Sequence, residues 1–307
     1  MKNCVALLVL AIVLTGCSST LNRMMSRVIG RAVASPKPAP TKSEILVEKN
    51  NKLTVTWVGH STMLIQLHDK IFLTDPVFTK TVGMIATRYF QPGLDPSRLT
   101  SVDYTLISHC HVDHFSFGSL DMIPKDGKLL LPFGAAVYSP EFSFAETREM
   151  KPWEVLEEDG VRITAVPVQH FGGRFGIDFF WSRDRGYTGW VVEYKGTTLF
   201  IGGDTGYHPE YFKEIGRRFS IDVAIIPIAP VEPRDFMSYS HVDPKEALQV
   251  FADVNAKLFM PMHYGTFVQG IDPYPLVARE ILQKLVSERG LKERVRIPEI
   301  GERLVIE

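Results

Sequence analysis

The stretch DYTLISHCHVDH, residues 103–114, decides how this chain of 307 residues is read. Residues 103–108 form an apolar, β-branched run of the kind that makes a buried strand. His109-Cys110-His111-Val112-Asp113-His114 follows it at once, so the chemistry belongs to the loop that leaves the strand. In an extended backbone, side chains two residues apart share a face, which lets His109 and His111 grip one ion. Asp113 and His114 continue into a turn and can face a second position. Neutral imidazoles and carboxylates are ordinary zinc ligands, and a catalytic site keeps one coordination position open for water.

Working outward, three more polar residues each stand behind an apolar run. His170 follows VRITAVPVQ, Asp204 follows TTLFIGG, and His263 follows KLFMPM. Functional side chains gather on loops at such strand ends. Further β-rich segments, LTVTWV, STMLIQL, KIFLTD, KLLLP, GWVVEY and DVAIIPI, lie between turn residues from Leu53 onward. Helices are expected at 116–122, around 211–219, at 244–254 and at 275–289. The third has the clearest start, with Asp243 as N-cap, Pro244 in the first turn and Glu246 where a capping box needs it. His241 therefore sits just before a helix. Strand-rich opening segments followed by strand–helix alternation imply an α/β (α+β) fold of two face-to-face sheets with helices outside, one domain over residues 44–307.

Composition excludes several classes of function. With Lys+Arg 34 against Asp+Glu 35, the chain has no overall attraction for nucleic acid, and no nucleic-acid partner is expected. A hydrophobic content of 45% supports a globular core and excludes a disordered chain. The beginning of the chain differs from this average. Lys2 precedes the apolar run VALLVLAIVL, residues 5–14, too short for a bilayer span but suited to a signal peptide over residues 1–16.

Leu14-Thr15-Gly16-Cys17 resembles the bacterial lipobox, which implies lipid attachment to Cys17. Several acyl chains would hold the protein at a membrane. Ser18 in place of an aspartate implies, by the same resemblance, a lipid-anchored cell-envelope location at the outer rather than the inner membrane. Of three cysteines, Cys4 would leave with the signal and Cys17 would carry lipid, so Cys110 can form no internal disulfide. Residues 17–43 then read as the lipidated cysteine and a tether, with Pro36, Pro38 and Pro40 in an extended stretch. Within it, MMSRVIGRAV fits either a short amphipathic helix on anionic headgroups or a solvated linker.

The order of His109, His111, Asp113, His114, His170, Asp204 and His263 resembles the two-metal pattern of the metallo-β-lactamase superfamily over roughly residues 53–270. By that resemblance His109, His111 and His170 bind one ion, Asp113, His114 and His263 bind the other, and Asp204 bridges them. The fold implied is a four-layer αββα sandwich. TWVGHST, LTDPVF, GGDTGY and SHVDPKEA resemble more closely the branch containing N-acylphosphatidylethanolamine-hydrolysing phospholipase D and ascorbate-6-phosphate lactonase.

That resemblance implies two divalent ions, zinc first and manganese or iron as alternatives, and hydrolysis by a metal-bound hydroxide. Asp113 and His241 are the expected catalytic residues, Asp113 orienting the nucleophile and His241 contacting phosphate or protonating the leaving alkoxide. His60 and Asp75 are expected to orient ligands. Cys110 is expected in the core, and His68 and His208 receive no role. Phe115, Phe117, the aromatic run 171–181, Tyr207, Phe236 and Tyr239 are candidates for holding acyl chains. Arg174, Arg183, Arg185 and Arg234 are candidates for phosphate contact. A lipid or small phosphodiester or ester is thus the expected substrate. A lactonase or other ester hydrolase, a β-lactam hydrolase and a non-catalytic envelope scaffold are the competing readings. The complete ligand set argues against the scaffold.

Overall fold

Strict alternation along the first strands decides the architecture, because each strand offers one apolar face to a shared interior and another to an outer layer. The computed structural model describes residues 19–44, 51–83, 85–174, 178 and 182–306. The signal-like segment and Cys17 lie outside the described residues, as do Phe175, Phe179, Phe180 and Trp181 of the aromatic run. The first helix, α1, is Ser19–Arg31.

One sheet contains β1 (Leu53–Gly59), β2 (Thr62–Leu67), β3 (Lys70–Thr74), β6 (Tyr104–Leu106), β7 (Lys128–Pro132), β8 (Glu146–Met150) and β15 (Arg303–Ile306). Its order is β15-β1-β2-β3-β6-β7-β8. The second contains β9 (Val155–Glu158), β10 (Val161–Val166), β11 (Gly189–Tyr194), β12 (Thr197–Ile201), β13 (Val223–Pro227) and β14 (Leu258–Met262), in the order β14-β13-β12-β11-β10-β9. A small hairpin, β4 (Thr81–Val82) and β5 (Ala86–Thr87), stands apart.

Leu53, Val55, Trp57, Met63, Ile65, Leu67, Phe72 and Leu106 from the first sheet share one buried cluster with Ile163, Ala165, Trp190, Val192 and Phe200 from the second. Alternate residues Val58, Leu64, Leu73, Leu129 and Leu131 face the other way, into a separate cluster with Phe115 and Leu120. The cover over that outer face is thin. Its helical elements are α2, Phe117–Leu120, and two 3-10 turns. The second sheet is covered by α3 (Pro209–Arg218), α5 (Pro244–Asp253) and α6 (Val277–Glu288), whose Phe212, Ile215, Leu248, Phe251 and Leu282 join the central cluster, and the short α4 (Arg234–Met237) lies in the connection before α5. The expected four-layer sandwich is present, with its two helical layers unequal.

Strand direction fixes where the site must be. β1 and β3 run the same way because β2 is antiparallel to both, and β3 pairs with β6 in parallel. The carboxyl ends of β1, β3 and β6 therefore share one edge, presenting His60, Asp75 and the 109–114 loop. In the second sheet β10 and β12 are both antiparallel to β11, and β12, β13 and β14 are parallel. Their carboxyl ends present His170, Asp204 and His263. Pro261 within β14 is tolerated because β14 is an edge strand.

The expected helices appear with ends shifted by a few residues. β4, β5, β8, β9 and β15 were not anticipated: ETREM is largely polar, and the two-residue β4 and β5, like VLEE and RLVI, are too short to show apolar periodicity. The capping box before α5 is formed, with Asp243 accepting from Glu246 N at 2.8 Å and Glu246 accepting from Asp243 N at 3.2 Å. Replacing Asp243 by alanine is expected to lower unfolding stability by about 1 kcal/mol in urea titration, with the folded circular dichroism spectrum unchanged.

Candidate metal centre

Four of the histidines, His109, His114, His170 and His263, are held by a contact on the ring nitrogen that faces away from the centre. His170 Nδ1–H donates to the Ser240 carbonyl at 3.0 Å, and His263 Nδ1–H donates to the Ala229 carbonyl at 2.9 Å. His114 Nδ1–H donates to Asp75 Oδ2 at 2.8 Å. His109 Nδ1 lies 2.9 Å from Ser108 Oγ, which is 2.6 Å from the same Asp75 oxygen. Such partners fix the ring's orientation and, in a neutral ring, leave Nε2 with a free lone pair. Asp75 also accepts from Ser108 N at 2.6 Å, so one buried carboxylate orients ligands for both halves of the centre.

The free nitrogens converge. His109 Nε2 is 2.9 Å and His170 Nε2 is 3.4 Å from His111 Nδ1. His114 Nε2 and His263 Nε2 are 3.3 Å apart. Asp204 Oδ2 lies between the groups, 3.8 Å from His109 Nε2, 3.3 Å from His114 Nε2 and 3.0 Å from His263 Nε2. Two ligands at about 2.1 Å from a tetrahedral zinc lie roughly 3.3–3.4 Å apart. The spacing therefore suits one ion within the His109, His111 and His170 group. A second fits the group of Asp113, His114 and His263, with Asp204 in reach of both. Asp204 Oδ1 is buried without a hydrogen-bond partner, as is His241 Nδ1. A buried polar atom in that state is costly unless something else satisfies it, and a cation fits both the charge and the donor set.

Backbone geometry supports the placement. His60, Asp75 and His263 have φ of 55°, 35° and 66°, left-handed values that cost a non-glycine residue about 1–3 kcal/mol and that cluster at functional sites. Gly203 at φ 60° precedes Asp204, and a Cβ there would sit 2.5 Å from Ser108 Cβ. Only a glycine lets β12 bring Asp204 this close to the first sheet.

Burial sets the protonation states. It lowers His109 and His170 well below the usual imidazole range, helped by neighbouring imidazoles, and it lowers His111. His60 is pushed down to about 3 and His241 to about 4, both mainly by burial. In His114 burial acts the same way but is outweighed by Asp204, Asp75 and Asp113, which raise it well above 6.5. Burial alone would raise Asp113 and Asp204, yet the surrounding imidazoles hold both carboxyls below their ordinary range.

All seven residues expected to bind metal meet here, together with His60, Asp75 and His241. His60 Nε2 lies 3.0 Å from Asp113 Oδ2, and being neutral it donates to that oxygen and holds the carboxylate in place. It also stands within ligand distance of Asp113, His114 and His263, closer to the centre than an orienting residue requires. His241 Nδ1 is 3.6 Å from Asp204 Oδ2. His111, Asp113 and His241 are half-buried while the other members are buried, so these three mark the mouth. Phe171 stacks beside His170 and His111 there, and Phe236 and Tyr239, 62% and 60% exposed, flank the segment carrying His241.

The arginines differ from expectation. Arg174 donates to the Cys110 and Phe115 carbonyls and stacks on Phe117, bracing the 109–114 loop. Arg234 binds Glu246 and the His241 carbonyl, and Arg185 pairs with Asp184. Arg174 and Arg234 are engaged within the protein rather than offered to phosphate, and Arg185 is paired with its neighbour at the surface. Cys110 is buried as expected, its thiol pushed up to about 12 by that burial. Ser108, Gln269, and the carbonyls of Ser240 and Ala229 were missed. Gln269 Nε2 lies 2.9 Å from His263 Nδ1, and no sequence pattern distinguishes such a contact from a surface amide.

The family model described as Beta-lactamase superfamily domain matches residues 70–264. The chain is 30% identical over 258 residues to the N-acyl-phosphatidylethanolamine-hydrolyzing phospholipase D 1 of Caenorhabditis elegans, covering 77% of this chain and 70% of that one. It is 31% identical over 263 residues to the mitochondrial N-acyl-phosphatidylethanolamine-hydrolyzing phospholipase D of Saccharomyces cerevisiae, covering 80% of this chain and 54% of that relative. The chain thus spans about half the length of the yeast protein. Among solved structures, the metallo hydrolase Igni18 of Ignicoccus hospitalis is alike in fold, with a TM-score of 0.62, 20% identity, and coverage of 83% and 98% of the two chains.

Two outcomes are expected from metal titration. Asp75→Ala should weaken metal binding by about 10–100-fold, read as metal retained after dialysis, because ligands of both halves lose their orienting partner. The His109 group is already neutral, whereas His114 must lose a proton before it can bind. Calorimetry in buffers of different ionisation enthalpy should therefore show proton release with one equivalent of metal and little with the other. As pH falls, the equivalent that involves His114 should be lost first, because the carboxylates around that ring make it compete for protons already above the ordinary imidazole range.

Proposed function

The chain belongs to the beta-lactamase superfamily, and from that premise we propose that this metal-dependent hydrolase is a dinuclear phosphodiesterase that cleaves a phospholipid. The observation that carries the reading is the shared position of Asp204, within 3.8 Å of His109 on one side and 3.0 Å of His263 on the other. His109, His111 and His170 would hold one ion, Asp113, His114 and His263 the other, and Asp204 both. Zinc is the expected metal for this nitrogen-rich set. Two ions held there would supply an activated water as nucleophile and a Lewis acid for a phosphoryl oxygen.

The remaining roles fall to residues at the mouth. Asp113, with Oδ2 engaged by His60, keeps its other oxygen for orienting the attacking water. His241 is held from behind by Arg234 on its carbonyl, and its burial favours the neutral ring. A neutral imidazole donates a hydrogen bond to a phosphoryl oxygen more readily than it gives up a proton to a leaving group, so contact is its assigned role. With three of the four candidate arginines engaged elsewhere, the phosphate charge is left to the metal centre. Phe171, Phe236 and Tyr239 supply apolar surface where acyl chains would lie.

The names of the worm and yeast relatives support a phospholipid with an N-acylated ethanolamine headgroup as the first substrate to test. We also infer a lipid anchor on Cys17 and an outer-membrane location, resting on LTGC and Ser18. Among the described residues no helix is long and apolar enough to cross a membrane. Metabolic labelling with a radioactive fatty acid should mark the wild-type chain, and Cys17→Ser should abolish the label.

Purified full-length protein should hydrolyse bis(p-nitrophenyl) phosphate and N-acylphosphatidylethanolamine with two metal ions per chain. His111→Ala should lower both activities by on the order of a thousandfold, since it removes a ligand from a centre that stabilises the transition state by several kcal/mol. Turnover of a lactone with neither phosphodiester cleaved would assign ester hydrolysis instead. A chain that binds no metal would overturn the reading.

A further inference from the structure

The chain before residue 44 is joined to the body rather than hanging free. Arg31 stacks on Tyr89 at 3.9 Å and donates to the Arg88 carbonyl at 3.3 Å, and Thr87 Oγ1 donates to the Ala32 carbonyl at 3.2 Å. Lys37 N donates to Tyr89 O at 2.8 Å, Thr41 N to Ile300 O at 3.1 Å, and Ser43 N to Gly93 O at 2.8 Å. This strap fixes α1 beside the metal centre. Arg27 lines a crevice with Tyr89, Ala229, Phe267 and Gln269. Two of those, Ala229 and Gln269, touch His263 directly. The β4–β5 hairpin alongside brings Gly83 against Val112, inside the 109–114 loop at the mouth.

Yet α1 buries little. Met24, Met25 and Val28 are only half-buried, Ile29 is 53% exposed, and Val33, in the turn just past the end of α1, is 91% exposed. Ile85 at the hairpin tip is 38% exposed. An amphipathic helix normally gains its stability by burying its apolar face, so this one keeps apolar surface still to be covered. Charge narrows what that partner is. Residues 1–43 contain no aspartate or glutamate, and while Arg27 and Arg31 are turned onto the body, Arg23, Lys37 and Lys42 are exposed. The apolar run of residues 5–14 and Cys17 immediately precede the helix. A basic amphipathic helix next to an apolar or acylated segment fits an anionic bilayer surface.

We propose that α1 and the tip of the β4–β5 hairpin dock on an anionic lipid bilayer, with Ile29, Val33 and Ile85 entering the interface and Arg23 among the headgroups. The mouth of the metal centre then lies at the membrane surface, and its orientation is set by the strap rather than by a flexible tether. Docking is separate from the chemistry: it holds or fails whatever ester the centre cleaves.

The test uses the full chain in vesicles of mixed phosphatidylcholine and phosphatidylglycerol. Ile29→Cys, Val33→Cys and Val305→Cys are labelled one at a time with bimane in a chain carrying Cys4→Ser and Cys17→Ser, which removes the two other thiols and any acyl anchor, Cys110 being buried and protected. Val305 pairs with Thr54, at the end of β1 away from His60, and serves as the distant control. Brominated acyl chains are expected to quench the label at residues 29 and 33 and to leave residue 305 unaffected. Arg23→Ala should reduce the docking equilibrium by about fivefold, and an all-phosphatidylcholine bilayer by more. Absence of quenching at 29 and 33, or equal quenching at all three positions, would overturn the proposal, as would mutual protection of 29 and 33 by a second copy of the chain. Hydrolysis of N-acylphosphatidylethanolamine doped into the same vesicles reports separately on the phosphodiesterase reading.

Discussion

A single carboxylate, Asp204, is sunk to 3% exposure among four imidazoles, and the rest of the structure is arranged around that placement. A buried charge without compensation is too costly to keep. Here the compensation comes from both sheets: His109 and His114 from the end of β6, His263 from the end of β14, and His241 from the segment before α5. Folding the two sheets face to face therefore assembles the donors, and the donors in turn make the buried carboxylate tolerable. Its unpartnered Oδ1 marks where that compensation is incomplete within the protein itself.

Rigidity at the edge follows from hydrogen bonds that reach across the sandwich. Ser108, Asp75 and His114 form one connected unit on the first sheet. His60 is fixed from three sides: its N–H donates to Thr266 Oγ1, and its carbonyl accepts from Trp57 Nε1 and His263 N. These contacts hold His60 and His263 in left-handed conformations that an unsupported loop would abandon. Since the ligands are borne on strand ends and not on long loops, their geometry is preorganised before any ion or substrate arrives.

Much of this was legible in the sequence because strand ends are legible. The apolar runs before His109, His170, Asp204 and His263 are strong periodic signals, and a polar residue ending such a run stands out against them. Asp243, Pro244 and Glu246 announced the start of α5 by local chemistry alone. Contacts between distant segments were less accessible. Nothing in the chain says that Arg174 would brace the Cys110 carbonyl or that Arg234 would serve the capping box, since an arginine in a loop reads equally well as solvated, structural or phosphate-binding. Backbone carbonyls such as those of Ser240 and Ala229 leave no mark in a sequence at all. The strap of residues 31–43 was read as a tether because proline-rich, polar composition specifies an extended chain without saying what it lies against.

The central claim is that two ions share Asp204. Diffraction from crystals grown with zinc, recorded on both sides of the zinc absorption edge, measures it directly. Two anomalous peaks about 3.5–4 Å apart, one within the His109, His111 and His170 group and one beside Asp113, His114 and His263, with Asp204 between them, are the expected result. A single peak, or a second ion ligated by His60 or His241 with Asp204 bound to one metal only, would contradict the account.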